Sequence, residues 1–220
     1  MRTRRVSIRI GERGATRAVL CSPSLDPTGI GVVLGHGAGS DLSTPLLVAL
    51  TEELARRGHT TLRYDYLYRV HGKKLPEPPA VLEETTRSVV DWLRARGVSR
   101  LFVGGKSMGG RIASLCASKG MAVDGLVLLG YPLHPAGKPD KLRDRHLPDV
   151  ACPMLFVQGT RDALCDLALL RPVLRRLGDR ATLHVVDGGD HSLDVPKASG
   201  RTRAEVHAEV MDLVDAWIRV

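Results

Sequence analysis

Three residues far apart in the chain have the side chains needed to move an acyl group: Ser107, Asp162 and His191. Ser107 lies in GGKSMGGRIAS (104–114), with Gly105 and Gly109 at its second neighbours and Gly110 after them. A serine hydroxyl is a weak nucleophile until a base takes its proton. Imidazole is the side chain that titrates near neutrality and suits that task. His191 stands in VVDGGDHSLDV, late in the chain and beyond a β-branched run. The base must itself be oriented, and its charged form stabilised, by an acid. Asp162 in FVQGTRDALC follows an earlier apolar run and fits that role. Asp187 and Asp190 are nearer His191 in sequence but rank lower, because adjacent side chains rarely point at one another. Asp65 is a further candidate.

These residues must be carried by elements that bring them together. Short apolar runs alternate with helical patterns. RRVSIRIG (4–11) and TRAVLCSP (16–23) have no helix between them and predict a hairpin. GIGVVLGHG (29–37) reads as a strand buried on both faces. HTTLRYDY (59–66), RLFVGG (100–105), GLVLLGYP (125–132), CPMLFVQG (152–159) and ATLHVVDG (181–188) read as further strands. Between them lie amphipathic patterns. One has Thr44 as a cap, Pro45 in the first turn and Gly58 at the end, with Leu46, Leu47, Leu50 and Leu54 on one face. Another begins at Val81, with Leu82, Val89, Val90 and Leu93 together, after a Pro-rich loop over 67–80. A third follows Ser107. A fourth runs to about Leu177, with Pro172 kinking it or opening its second half. The last starts near 202, with Val206, Val210, Leu213, Val214 and Trp217 aligned. Strands alternating with helices predict one α/β domain over 1–220, built on a mostly parallel eight-stranded sheet with helices on both faces.

Ligands on such sheets bind beyond the carboxyl ends of the strands. Ser107 is there, between a strand and a helix, where a turn without a connecting loop forces its backbone into a strained conformation. Glycines at 105 and 109 let strand and helix approach. A phosphate-binding loop would need GxxxxGK[ST], and Lys106 stands on the wrong side of the glycines for that. Donors for a developing oxyanion are expected from the N–H of Met108, after the serine, and of Ala38 in GHGAGSD, after the third strand. His36 reads as a tether for that loop. His184 lies inside a strand and His59 at the opposite edge, while His71, His134 and His146 lie in loops that shape a pocket and His207 in the final helix.

Composition bounds the partners. The chain has 220 residues and a net charge of +8, but its arginines are scattered and aromatics make up only 4%, which speaks against a base-stacking nucleic-acid groove. Cys21, Cys116, Cys152 and Cys165 show no metal-binding or redox spacing, so neither cofactor nor metal is expected and the thiols read as free and cytosolic. No run has the length of a membrane span and no apolar leader opens the chain. A monomer or homodimer is expected.

HGAGSD, GGKSMGGRIAS, GGDHSL and the order Ser107, Asp162, His191 together resemble the α/β-hydrolase superfamily, over essentially the whole chain. Small capless members akin to dienelactone hydrolase look nearest, although those often carry a cysteine nucleophile where this chain has Ser107. HGAGSD, GYPLHPAGKPDKLRDRHLP and LFVQGTRD are closer still to a group of bacterial predicted hydrolases related to the hydrolase-like domain of an NSL chromatin-complex subunit and its testis-expressed relative. The resemblance implies the fold and a triad at Ser107, Asp162 and His191. The expected activity is hydrolysis of a small-molecule ester or thioester through an acyl-enzyme. A peptidase, or a non-catalytic scaffold serving protein interaction, are the alternatives. About twenty residues separate the sixth and seventh strands, too few for an elaborate cap. The loops beside the site are basic, with Arg69, Lys73, Lys74, Lys138, Lys141, Arg143 and Arg145, which suits an acidic acyl substrate or simply solvated charge.

Overall fold

In the computed structural model, which describes residues 1–220, the apolar runs become the strands of one sheet. β1 (Arg2–Arg9) and β2 (Ala15–Ser22) pair antiparallel as the expected hairpin. β3 (Ile30–Gly35), β4 (Thr60–Tyr64), β5 (Arg100–Lys106), β6 (Gly125–Leu129), β7 (Met154–Gly159) and β8 (Ala181–Val186) all run parallel, and β2 joins them antiparallel to β4. The order is β1-β2-β4-β3-β5-β6-β7-β8, with β3 and β5 near the middle. Alternate side chains of the inner strands face opposite sides. Two cores result. Val33, Val103, Leu128 and Phe156 pack under α3 (Pro79–Arg94), α4 (Met108–Ser118) and α5 (Leu167–Leu177). Val32, Leu34, Val127 and Val157 pack under α1 (Pro45–Arg56) and α6 (Arg203–Arg219).

The helices bury the predicted faces. Leu46, Leu47, Leu50 and Leu54 of α1 are buried, each contributing roughly 1.5–3 kcal/mol. Gly58 ends that helix with φ +97°, while His59 N–H reaches Leu54 O and Gly58 N–H reaches Ala55 O. This is a Schellman closure, for which glycine is suited. On α6, Val206, Val210 and Val214 are buried as expected, and Ile218 joins them while Leu213 and Trp217 lie half-buried.

Two local readings change and a third narrows. Thr44 occupies the cap position of α1, but its side chain caps nothing: its hydroxyl donates to Asp41 O and meets Ser40 Oγ, so the preceding loop takes it. The segment read as loop over 67–80 holds a single helical turn, α2 (Leu67–Val70), and α3 starts at Pro79, because proline suits a first helical turn. Pro172 stands inside α5, which runs through it. Between β6 and β7 the only regular structure is a short 3-10 turn (Leu147–Asp149), so no cap domain covers the sheet. No helix is long and apolar enough to cross a membrane.

Candidate active site

β5 and α4 meet at Ser107 with no residue to spare. Ser107 has φ 52° and ψ −112°, one of three non-glycine residues with positive φ. Such a backbone costs about 1–3 kcal/mol and persists only where the surroundings impose it. Here the constraint is visible. A Cβ on Gly105 would stand 2.0 Å from Gly35 O, and one on Gly109 2.2 Å from the same atom. β3 therefore presses on both sides of the turn. Ser107 N–H donates to Leu129 O at 2.9 Å, which fixes the turn to the end of β6.

The fold brings the three distant residues into one hydrogen-bonded line. Ser107 Oγ is 2.8 Å from His191 Nε2. His191 Nδ1 lies 2.9 and 2.8 Å from the two carboxylate oxygens of Asp162. The Asp162 side chain is fully buried, while that of His191 keeps a quarter of its surface exposed. A buried carboxylate needs donors. Besides the imidazole, Asp162 accepts from Leu164 N–H at 2.8 Å and from Gln158 Nε2. Gln158 is itself fully buried and accepts Tyr131 N–H through Oε1, so its amide is held at both ends. Sequence reading passed over Gln158; a lone amide inside the apolar run MLFVQG was the available signal.

The other acids are engaged elsewhere. Asp190 accepts from the N–H groups of Ser192 and Asp194 and shapes the turn that carries His191. Asp187 meets the Thr160 hydroxyl. Asp65 is buried under Arg17 and accepts Leu42 N–H at 2.9 Å, holding the loop after β3. His36 tethers the same loop. It accepts Tyr66 N–H at Nε2, which leaves Nδ1 as the donor to Gly37 O at 2.8 Å, and burial lowers its pKa, favouring the neutral ring. Beyond that tether Ala38 is exposed, and its N–H donates to no acceptor in the protein. Met108 opens α4, and a first-turn N–H has no acceptor within its helix.

Of the remaining histidines, His146 bonds Ser114 Oγ, His134 lines a depression of about 480 Å³ with Asp162, and His71 is exposed. His184 pairs with Glu209 rather than packing in the core, and His59 lies far from the serine in contact with Asp215. Lys106 was read only as a residue that excludes a phosphate loop. It is buried, its side chain makes neither ion pair nor hydrogen bond, and it lines a cleft of about 200 Å³ with Ser192, Asp194, Arg203 and His207. Burial pulls its pKa down to about 8, against the opposing pull of Asp162, Asp190 and Asp194.

A mostly parallel eight-stranded sheet, with a serine on the strained turn after β5 and a histidine beyond β8, defines an α/β-hydrolase fold. The chain belongs to the alpha/beta hydrolase domain family, which residues 29–219 match. Solved structures share the fold at low identity. A serine hydrolase homologue from Coxiella burnetii has a TM-score of 0.77 at 16% identity, over 98% of this chain and 97% of that one. A serine hydrolase without a lid from Xanthomonas campestris gives 0.76 at 18%, over 99% and 95%. A dienelactone hydrolase from Anabaena variabilis gives 0.76 at 22%, over 99% and 97%.

Proposed function

We propose that this protein is a serine hydrolase that cleaves a small ester or thioester through an acyl-enzyme. The observation that carries this reading is the unbroken line from Ser107 Oγ to His191 Nε2 at 2.8 Å and from Nδ1 to Asp162. In the first half-reaction Ser107 Oγ bonds to the substrate carbonyl carbon and its proton passes to His191 Nε2. Asp162 accepts the Nδ1 proton as a hydrogen bond throughout and stabilises the imidazolium. The carbonyl oxygen becomes an oxyanion that the N–H groups of Ala38 and Met108 face, each such donor being worth about 3 kcal/mol in the transition state. The bond to the leaving alcohol or thiol then breaks, and His191 returns the proton to it. Water repeats the sequence on the acyl-enzyme and restores Ser107. The similar structures described above, serine hydrolases and a dienelactone hydrolase, agree with this chemistry. The finer kinship with the bacterial group related to the NSL-complex subunit rests on the sequence motifs.

Labelling by a fluorophosphonate probe tests the reading. The wild type is expected to label, and Ser107→Ala and His191→Ala to lose the label. A folded wild type that stays unlabelled would turn the interpretation toward a non-catalytic scaffold.

A further inference from the structure

The helix α1 begins without a side-chain cap. The Thr44 hydroxyl is taken by the preceding loop, and the first turn carries no acidic side chain. Pro45 has no N–H to give, and the N–H of Leu46 donates to no acceptor in the protein. A helix end of this kind presents partial positive charge and a free donor, which suit an anion. Thr44, Pro45 and Leu46 line the same cleft of about 200 Å³ as Lys106. Lys106 is only 8% exposed, and its ammonium makes neither a hydrogen bond nor an ion pair. Its Nζ is not among the fully sealed side-chain atoms that lack a partner, so solvent still reaches the amine, and the cleft is an opening that Lys106 lines. An uncapped helix end and an unpartnered buried cation therefore meet at one opening.

The carboxylates nearby are engaged by other groups. Asp194 lines the cleft, but Arg203 grips its two oxygens at 2.6 and 2.7 Å. Asp41, ahead of α1, accepts Ser43 N–H at 2.8 Å and faces Arg69 at 3.6 Å. Asp162 is held by His191, Leu164 and Gln158, and Asp190 by the N–H groups of Ser192 and Asp194. A buried ammonium without a counter-ion is costly. An anion in the cleft relieves that cost and accepts the Leu46 N–H as well. Its size is bounded, because pockets for drug-sized ligands run to about 300–1,000 Å³ and this cleft is smaller. Its shape is bounded too. A carboxylate is best matched by the planar fork of an arginine, and the fork of Arg203 is spent on Asp194. The donors that remain are an ammonium from β5, a helix N–H from α1 and the Ser192 hydroxyl from the loop after β8. Point donors from three separate elements suit a phosphate-type oxyanion.

We infer that this cleft binds a small tetrahedral oxyanion of the phosphate type, held between the Lys106 ammonium and the N-terminus of α1. Ser107, His191 and Asp162 do not line it, so the inference stands apart from the hydrolase reading. Inorganic phosphate is the probe. At about 20 mM and pH 7.5 it should raise the Tm of the wild type by about 3–7 °C over sodium chloride of equal ionic strength, as a Kd near 1 mM requires for a chain of this size. Sodium acetate should give a clearly smaller rise. Lys106→Met should lose the rise, and Lys141→Met, which alters an exposed lysine outside the cleft, should keep it. A general salting effect of phosphate would survive in Lys106→Met, which separates it from binding. A second reading needs no variant: the backbone amide resonance of Leu46 should shift saturably as phosphate is added, with the same Kd. Phenyl phosphate distinguishes two sources of the group. A rise equal to that with phosphate means that the cleft takes a phosphoryl group on a larger molecule, and a rise with phosphate alone means that it takes the free ion. The inference is overturned if phosphate does no more than chloride or acetate, if Lys106→Met keeps the rise, or if the Leu46 amide does not move.

Discussion

Lys106→Met should make the protein more stable, and the gain should depend on pH in a defined way. Lys106 is the residue before Ser107, buried and without a partner close enough to offset its lost hydration. Burial lowers its pKa from 10.5 to about 8 in the folded protein. The unfolded chain keeps the ordinary value. Below pH 8 both states carry the proton, and folding must bury the full charge. At 1.36 kcal/mol per pKa unit, that burial costs about 3 kcal/mol. Between pH 8 and 10.5 the unfolded state binds more protons than the folded one, so the wild type gains stability as pH rises through this window. Above it the cost is gone. Methionine keeps the unbranched stem that packs near Thr44, Pro45 and Leu46 and removes the charge. Replacing a buried charge by an apolar group of similar volume is commonly stabilising. Guanidinium unfolding at pH 7, 9 and 10 is the assay. The variant should exceed the wild type by about 3 kcal/mol at pH 7, with the difference falling to about 1 kcal/mol by pH 10. Equal stability at pH 7, or a difference that stays constant with pH, would refute the reasoning.

Two other substitutions probe the geometry of the turn and the proposed triad. Gly109→Ala must push α4 from Gly35 O, because a Cβ there would stand at 2.2 Å and needs at least 3.0 Å. It should destabilise by about 1–3 kcal/mol in chemical unfolding, and slow fluorophosphonate labelling by roughly a hundredfold as Ser107 moves relative to the Ala38 loop. Asp162→Asn keeps the shape but favours the wrong imidazole tautomer, so the rate of ester hydrolysis should fall by about 10³–10⁴ with little change in KM; a loss below tenfold would mean that another acid orients His191.

The strands are legible in the sequence because inner strands of a parallel sheet are buried on both faces and show as unbroken apolar runs, as GIGVVLG and MLFVQG do. Ser107 was legible for a different reason: only glycine tolerates the approach of Gly35, so the packing wrote itself into positions 105 and 109. His191 and Asp162 followed from the rule that ligand-facing residues lie after strands. What stayed hidden depends on contacts between elements. Gln158 looks like one polar residue in a strand until Asp162 and Tyr131 are seen on its two ends. The missing partner of Lys106 is likewise invisible, because every cation looks alike in one dimension. The Thr44 cap failed because Ser40 and Asp41 compete for its hydroxyl, a competition set by a loop fold and not by helix propensity.

The backbone of Ser107 also has a bearing on descent. At φ 52° the chain carries a standing strain that glycine would relieve without disturbing its neighbours. A lineage in which the hydroxyl had lost its use would gain stability from a single exchange at this position, and drift would find it readily. If Ser107 serves the proposed chemistry, selection for its hydroxyl is what keeps a serine on so unfavourable a backbone, and a glycine at the corresponding position in a sister sequence would mark a branch that has given up the chemistry and kept the fold.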